Sequence, residues 1–342
     1  MKKCKIFFLA ITFFTLCSLQ LHAQNIKSVE GPSLVIHGGA GTILKENLTP
    51  ELEQAYHSKL KQALETGYEI LEKGGSSEEA VIAAILVMED SPLFNAGKGA
   101  VFTNEGTNEM DASIMNGGDG SAGAVAGIKT VKNPILAAQA VKNNSEHVML
   151  SGEGAELFAR DRGLELVDPS YFYTERRKEQ LEKLKKAEQS NEEGRIQRWK
   201  DWKYGTVGAV ALDKQGNICA ATSTGGMTNK KYGRIGDAPV IGAGTFANRI
   251  CGVSATGHGE YFIRSVVAYD IAARMEYQNK SLAEASYGVV MKKLKLLGGG
   301  GGVIALDSKG NISMIFNTSG MYRGYMQKGK EAKTLIFKMA DG

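Results

Sequence analysis

The chain has 342 residues, 43% of them hydrophobic and 23% charged, with 6 Pro and 4 Cys, a balance that excludes disordered, collagen-like and disulfide-stapled proteins. The formal net charge is +4, and three of the lysines behind it lie in residues 1–23, which carry no acid. The remaining charge of +1 removes any general case for binding nucleic acid or an acidic membrane.

Residues 1–23 read as a secretory leader. Met1-Lys2-Lys3-Cys4-Lys5 is basic, Ile6 to Cys17 is apolar apart from threonines, and Leu21-His22-Ala23 is a small-residue cleavage site. The apolar run is shorter than the roughly 20 residues a membrane span needs, and Phe14-Thr15-Leu16 lacks the small residues expected before a lipidated Cys17. A periplasmic or secreted protein is therefore expected, with no membrane partner once the leader is gone. Cys219 and Cys251 remain, in neither metal-ligand nor redox-motif spacing, and both a disulfide and two buried thiols stay open.

Ser33 to Ile36 is a strand leading into a glycine-rich turn, His37-Gly38-Gly39-Ala40-Gly41. Thr49-Pro50 starts a helix that Gly74 ends, and Ser76-Ser77-Glu78-Glu79 is a capping box for a second, to about Asp90. Short strands are expected around Val101-Phe102 and over Ala124 to Ile128. Further helices are expected from Asn133-Pro134, Gly154, about Gly259, and Ser281-Leu282-Ala283-Glu284. Gly118 to Gly123 matches a dinucleotide-binding pattern in form but reads as a turn, since no clear strand leads into it. From Glu175 to Lys203, 10 Lys or Arg and 7 Asp or Glu fall in 29 residues, the composition of a solvated connector.

An internal repeat follows that connector. Leu212-Asp213-Lys214-Gln215-Gly216-Asn217-Ile218 matches Leu306-Asp307-Ser308-Lys309-Gly310-Asn311-Ile312, and Thr224-Gly225-Gly226-Met227 matches Thr318-Ser319-Gly320-Met321, at a constant offset of 94. Each copy reads as a β-hairpin around an Asp-x-x-Gly-Asn turn. Two such hairpins predict two packed antiparallel sheets with capped helices on the outer faces. Thr206 in the first copy corresponds to Gly300 in the second, so the hydroxyl is not part of the shared architecture.

The usual catalytic signatures are missing: there is no G-x-S-x-G, no H-E-x-x-H and no paired Cys-x-x-Cys. The sequence offers instead a concentration of threonines and glycines in Gly205-Thr206-Val207-Gly208, Thr222-Ser223-Thr224-Gly225-Gly226 and Thr256-Gly257-His258-Gly259, with Arg234 and Asp237 between them. A threonine at a chain terminus carries its own base in its α-amine, whose ordinary pKa is near 8. Such a site needs neither histidine nor metal.

Ile36 to Gly41, Pro92 to Gly97, Met110-Asp111-Ala112, Gly205 to Ala211, Thr222 to Met227, Gly233 to Asp237, Thr256 to Glu260 and Phe316 to Tyr322 closely resemble, in order, the plant-type L-asparaginase and isoaspartyl peptidase family of N-terminal nucleophile hydrolases. The resemblance implies an α+β, four-layer αββα sandwich, made as a precursor that cuts itself between Gly205 and Thr206. Residues 24–205 would form an α subunit with a loose charged tail from about 160, and residues 206–342 a β subunit in the same domain. Thr206 would be the nucleophile and Thr224 its hydroxyl partner. Thr256 and Gly257 would form the oxyanion hole, Arg234 would take the substrate carboxylate and Asp237 its ammonium, and Asn95 and Gly259 would line the site. Carbonyl oxygens of Met88, Glu89, Ser91, Phe94, Ala96 and Lys98 would hold a structural sodium ion, with no cofactor needed for catalysis. The implied substrates are L-asparagine and isoaspartyl dipeptides, and the implied assembly is an (αβ)₂ dimer. His258 and Ala255 depart from the family's common Thr and Cys and bear on substrate preference. Two alternatives remain, a glycosylasparaginase and a non-cleaving amino-acid-binding protein that uses Arg234 and Asp237 as a clamp.

Overall fold

The computed structural model describes residues 25–26, 31–190 and 205–338. The leader read in residues 1–23 and the connector residues 191–204 lie outside the described residues. Strands β1 (Asn25–Ile26) and β2 (Ser33–Gly41) come first, then helices α1 (Pro50–Glu72) and α2 (Ser77–Glu89). The hairpin β3 (Met110–Asn116) and β4 (Ala122–Ile128) leads to α3 (Pro134–Asn144), β5 (Met149–Ser151), α4 (Gly152–Asp161) and α5 (Glu175–Ser190). After the gap come β6 (Val207–Leu212), β7 (Ile218–Thr224), β8 (Thr245–Ala247) and β9 (Cys251–Gly257). Helices α6 (Gly259–Ser265), α7 (Val267–Gln278) and α8 (Leu282–Tyr287) precede β10 (Gly301–Asp307), β11 (Ile312–Phe316), β12 (Gly320–Gln327) and β13 (Lys333–Phe337).

The helix ends follow local chemistry. Thr49 caps α1 by accepting the Leu52 N–H, and Gly74 takes the left-handed turn beyond its end at φ +88°. Ser76 with Glu79 and Ser281 with Glu284 form the two reciprocal capping boxes over α2 and α8.

Strand order is β13-β12-β2-β6-β7-β3-β4-β5 in one sheet and β1-β11-β10-β9-β8 in the other, antiparallel throughout except between β4 and β5. Leu60, Leu64, Ile85 and Ile135 pack α1, α2 and α3 on the outer face of the larger sheet. Ile271, Leu282 and Val290 pack α7, α8 and the π-turn after it on the smaller one. Val35, Val210, Ile218, Ile304 and Met314 fill the space between the sheets. Four layers result, αββα.

The sequence repeat is the pair β6–β7 and β10–β11, one hairpin in each sheet. The Asp213 carboxylate accepts from Gln215 N and Asn217 N at 3.0 and 2.9 Å, and Asp307 accepts from Lys309 N and Asn311 N at 2.9 Å each. One aspartate thus fastens each turn.

Three expectations need correction. His37 to Gly41 continues β2 and does not turn, because β12 pairs with it as far as Gly41 across a bulge at Tyr322 and Arg323. Val101-Phe102 makes only an isolated bridge to Asn108. The described part of the stretch from about 160 is not loose throughout: it is held to the body at Phe172 and along one stripe of α5. Phe172 is fully buried, and α5 seats Arg177, Leu181 and Lys185, spaced four apart, on the body, with the Lys185 ammonium donating to Asn104 O at 2.6 Å. A narrow inward stripe is compatible with an otherwise charged helix. Cys219 and Cys251 are buried free thiols on different sheets.

The Asp213 carboxylate also accepts from Ser77 N at 3.1 Å, tying its turn to α2. Asp213→Ala should lower the stability to urea by about 2 kcal/mol, since hydrogen bonds to charged groups contribute roughly 1.5–3 kcal/mol each. An unchanged urea midpoint would show that neither the turn nor the tie to α2 depends on this carboxylate.

Candidate active site

The site forms where β2, β6, β7 and β9 converge. Thr206 directly precedes β6 and Thr224 ends β7. The Thr206 Oγ lies 2.7 Å from the Gly205 carbonyl oxygen and 3.1 Å from Thr224 Oγ. Thr224 Oγ in turn lies 3.2 Å from Gly205 O and accepts from Gly226 N at 3.0 Å. The Asn95 amide donates to Gly205 O at 2.8 Å and to Gly226 O at 2.7 Å, while its own oxygen accepts from Val101 N. A single carbonyl, that of Gly205, is thus surrounded by two hydroxyls and an amide.

The absence of a side chain at Gly205 matters for the space it leaves. Its φ is not in the left-handed region. A Cβ there would lie 2.6 Å from Asn95 Cβ, so the missing side chain admits Asn95 to the carbonyl. Gly208 serves similarly, since a Cβ would lie 2.0 Å from Ser254 Oγ and 2.4 Å from His37 Nε2.

His37 was quoted in the sequence only as part of a motif. Its Nδ1 lies 3.0 Å from Thr206 O and its Nε2 3.0 Å from Ser254 Oγ. Burial pushes its pKa down to about 3, against the raising effect of the Thr206 bond, so the ring is neutral. A carbonyl only accepts, so Nδ1 donates and Nε2 accepts from Ser254. Ser254 Oγ continues to Thr222 at 2.6 Å, Thr222 to Thr245 at 2.5 Å and Thr245 to Ser113 at 2.8 Å, a buried line of hydroxyls between the sheets. Thr256 lies two residues beyond Ser254 on β9, on the same strand face, where its Oγ accepts from Ala40 N at 3.2 Å. Gly257 ends that strand.

Arg234, Asp237 and Gly259 form a second group. A Cβ on Gly259 would lie 2.7 Å from Arg234 Nη2 and 2.9 Å from Asp237 Oδ1, so this glycine admits both. Arg234 Nε and Nη2 donate to the two Glu260 oxygens at 2.9 and 3.0 Å, and His258 Nε2 lies 3.1 Å from Glu260 Oε2. Burial pushes the Glu260 carboxyl up, but the bonds from His258 and Arg234 outweigh it and hold the group well below the ordinary range. Glu260 was the residue missed, because a carboxylate two positions into a helix reads as a routine first-turn acid. Arg234 Nη1 keeps no partner among the described residues. Asp237 is buried, its Oδ2 has no partner, and burial pushes its pKa up to about 7 against the pull of Arg234. The pair offers a fork for an anion beside a carboxylate that lacks a cation. No hydrogen bond joins this group to Thr206 among the described residues.

The stretch from Met88 to Lys98 is a carbonyl-rich loop. Among the described residues the carbonyls of Glu89, Ser91, Phe94 and Lys98 accept no hydrogen bond, while those of Met88 and Ala96 accept from Ser91 N and Gly99 N. Gly97, at φ +51°, and Gly99 leave no room for a Cβ against Glu89 O and Phe94 O, at 2.4 and 1.9 Å. The Glu89 side chain is fully buried, accepting from Ser223 Oγ at 2.6 Å and Ile135 N at 3.0 Å, and burial raises its pKa to about 8. No His, Cys, Asp and Glu group suited to a metal ion occurs among the described residues.

Asp237 makes stability depend on pH. Its carboxyl binds a proton more tightly folded than unfolded, so its contribution to stability is present below pH about 4 and is lost as pH rises toward 7. Asp237→Asn should therefore be more stable than the parent at pH 8 and gain much less at pH 4, measured by urea midpoints. A difference that does not change with pH would show that Asp237 is ionised at no cost.

Residues 30–336 match the family model described as asparaginase. The isoaspartyl peptidase of Escherichia coli strain K12 is 50% identical over 308 residues, covering 89% of this chain and 96% of that protein. A putative isoaspartyl peptidase/L-asparaginase of Dictyostelium discoideum is 48% identical over 331 residues, covering 89% and 94%. A plant-type L-asparaginase of Pyrococcus furiosus is 42% identical over 310 residues, covering 87% and 97%. With two threonine hydroxyls at the Gly205 carbonyl and an arginine–aspartate pair on the same sandwich, and with these matches over nearly its whole length, the chain belongs to the asparaginase family.

Proposed function

We propose that this protein is an exported, self-cleaving amidohydrolase that removes the side-chain amide of L-asparagine and opens the β-linked bond of isoaspartyl dipeptides. The observation that carries the reading is the Thr206 hydroxyl held 2.7 Å from the carbonyl oxygen of its own preceding residue, with Thr224 and Asn95 on the same carbonyl. Relatives named for isoaspartyl peptidase and L-asparaginase activity support it.

In the precursor, Thr206 Oγ attacks the Gly205 carbonyl carbon while its proton passes to the departing Thr206 nitrogen. Asn95 donates to the oxygen as negative charge develops on it. The C–N bond breaks, leaving an ester between Gly205 and Thr206 Oγ. Water hydrolyses that ester to a Gly205 carboxylate, a free hydroxyl and a proton.

In the cleaved enzyme the Thr206 α-amine serves as base to its own hydroxyl. Thr206 Oγ attacks the substrate amide carbon, the amine proton goes to the leaving ammonia or amino acid, and a β-aspartyl ester forms that water opens. The Thr256 hydroxyl and Gly257 N–H stabilise the oxyanion, where one donor contributes about 3 kcal/mol. Glu260 holds Arg234 by one edge of its guanidinium, so the Nη1 side meets the substrate α-carboxylate without reorganising. The α-ammonium supplies the cation that Asp237 lacks. The loop carbonyls of Met88, Glu89, Ser91, Phe94, Ala96 and Lys98 fit a hard cation such as sodium, because four of the six have no other donor and oxygen ligands suit such ions. Residues 1–23 direct export, and two αβ units form the dimer.

Intact mass and N-terminal sequencing should show the wild-type chain in two fragments, one starting at Thr206. Thr206→Ala should stay whole and folded, and its normal processing would overturn the assignment. Arg234→Ala should still cleave itself yet lose at least about tenfold in kcat/KM for L-asparagine, the loss expected for a charge-assisted pair. Full activity in that variant would remove Arg234 from substrate recognition, and turnover of a glycosyl-asparagine at a higher rate would change the substrate class.

A further inference from the structure

Beside Gly205 the structure holds a cavity of about 60 Å³ that the catalytic scheme does not use. Its wall includes Gly205, Asn95, Tyr56, Tyr322, Arg176 and Arg177. Arg177 is 7% exposed, yet its partners are neutral: Nε donates to Gly99 O at 2.8 Å and Nη1 to Gln180 Oε1 at 3.1 Å. Arg176 donates from both Nη atoms to Tyr56 Oη at 3.2 Å, and Tyr56 donates to Leu93 O. No carboxylate pairs with either arginine among the described residues. Burial, and then Arg176 beside it, push the Arg177 pKa down to about 10, the mark of a cation without an anion. A buried cation lacking a counter-charge costs several kcal/mol unless something neutralises it.

We infer that this cavity is a carboxylate site, with Arg176 and Arg177 as its cationic wall. Two carboxylates reach the neighbourhood of Thr206. One is the Gly205 carboxylate itself, which exists only after the precursor is cut and is formed on the cavity wall. The other is the α-carboxylate of the residue leaving from a β-aspartyl dipeptide, which has no equivalent when L-asparagine releases ammonia. The cavity is large enough for one such group and for little more. The inference rests on the self-cleavage reading of Gly205-Thr206. Held there, a Gly205 carboxylate would keep the end of the α subunit seated beside the nucleophile after cleavage.

The test uses cleaved wild-type protein, Arg176→Gln, Arg177→Gln and the conservative Arg177→Lys, with the full-length tail retained. Arg176 is largely exposed and its variant is expected to fold even if an Arg177 variant does not. Each protein is treated with carboxypeptidase and the α-subunit mass followed, and kcat/KM is measured for a β-aspartyl dipeptide and for L-asparagine. Trimming of Gly205 at least about tenfold faster in the Gln variants, restored by Arg177→Lys, identifies the Gly205 carboxylate as the occupant. Unchanged trimming with a tenfold loss confined to the dipeptide identifies the leaving residue. Cleaved variants that match the wild type in both measurements overturn the carboxylate site. A wild-type chain that never yields an α fragment ending at Gly205 overturns the self-cleavage reading, and the Gly205 occupant with it, while the dipeptide comparison still decides the cavity.

Discussion

The bond from His37 to the Thr206 carbonyl is the constraint around which the site is built. Because burial keeps the ring neutral, its one N–H must serve the carbonyl and its lone pair must take the Ser254 proton. Ser254 Oγ then accepts from Thr222, and the line of hydroxyls runs on through Thr245 to Ser113. It ties the larger sheet, which carries His37 and Thr222, to the smaller one, which carries Ser254 and Thr245. The Thr206 backbone is therefore located by both sheets at once.

That arrangement explains why glycine is so frequent beside the site. Gly205 and Gly208 flank Thr206 at one residue and two, and each marks a place where a polar side chain comes closer than a Cβ permits. Gly259 does the same for Arg234 and Asp237. Loss of side chain at these positions costs folding entropy, and the return is contact between groups that would otherwise be held apart. Glu89 adds a further link, since its carboxyl binds Ser223 beside Thr224 and the α3 N-terminus, and so ties the carbonyl loop to the end of β7.

Charge is distributed unevenly around Thr206. On one side Arg234 is already paired with Glu260, and Asp237 waits for a cation at a pKa of about 7. On the other, Arg176 and Arg177 face a cavity without a carboxylate. Ion-paired groups and cations with only neutral partners differ: the Glu260 pair fixes the orientation of the Arg234 fork, whereas a buried cation such as Arg177, bonded to a carbonyl and an amide, still lacks a counter-charge. In the proposed reaction a β-aspartyl dipeptide brings a carboxylate to each side of Thr206, whereas L-asparagine, which releases ammonia, brings one only.

Much of this was legible in the residues themselves. Capping boxes at Ser76 and Ser281, the Thr49-Pro50 start and the repeated Asp-x-x-Gly-Asn turn act over four or five residues, so the helices and the paired hairpins could be read without coordinates. Thr206, Thr224, Arg234 and Asp237 stood out in a concentration of threonines and glycines, and Asn95 because the order of motifs resembles a family. The tertiary structure alone decided that His37 meets Thr206 across 169 positions, that Glu260 takes one edge of Arg234, and that the charged segment before the gap folds as a packed helix. It also showed Gly205 to be required by the approach of Asn95 and not by its own backbone angle. Local signals come from neighbours along the chain, whereas burial, proton direction and counter-charge depend on which distant groups are brought within about 3 Å, and no short stretch of sequence carries that information.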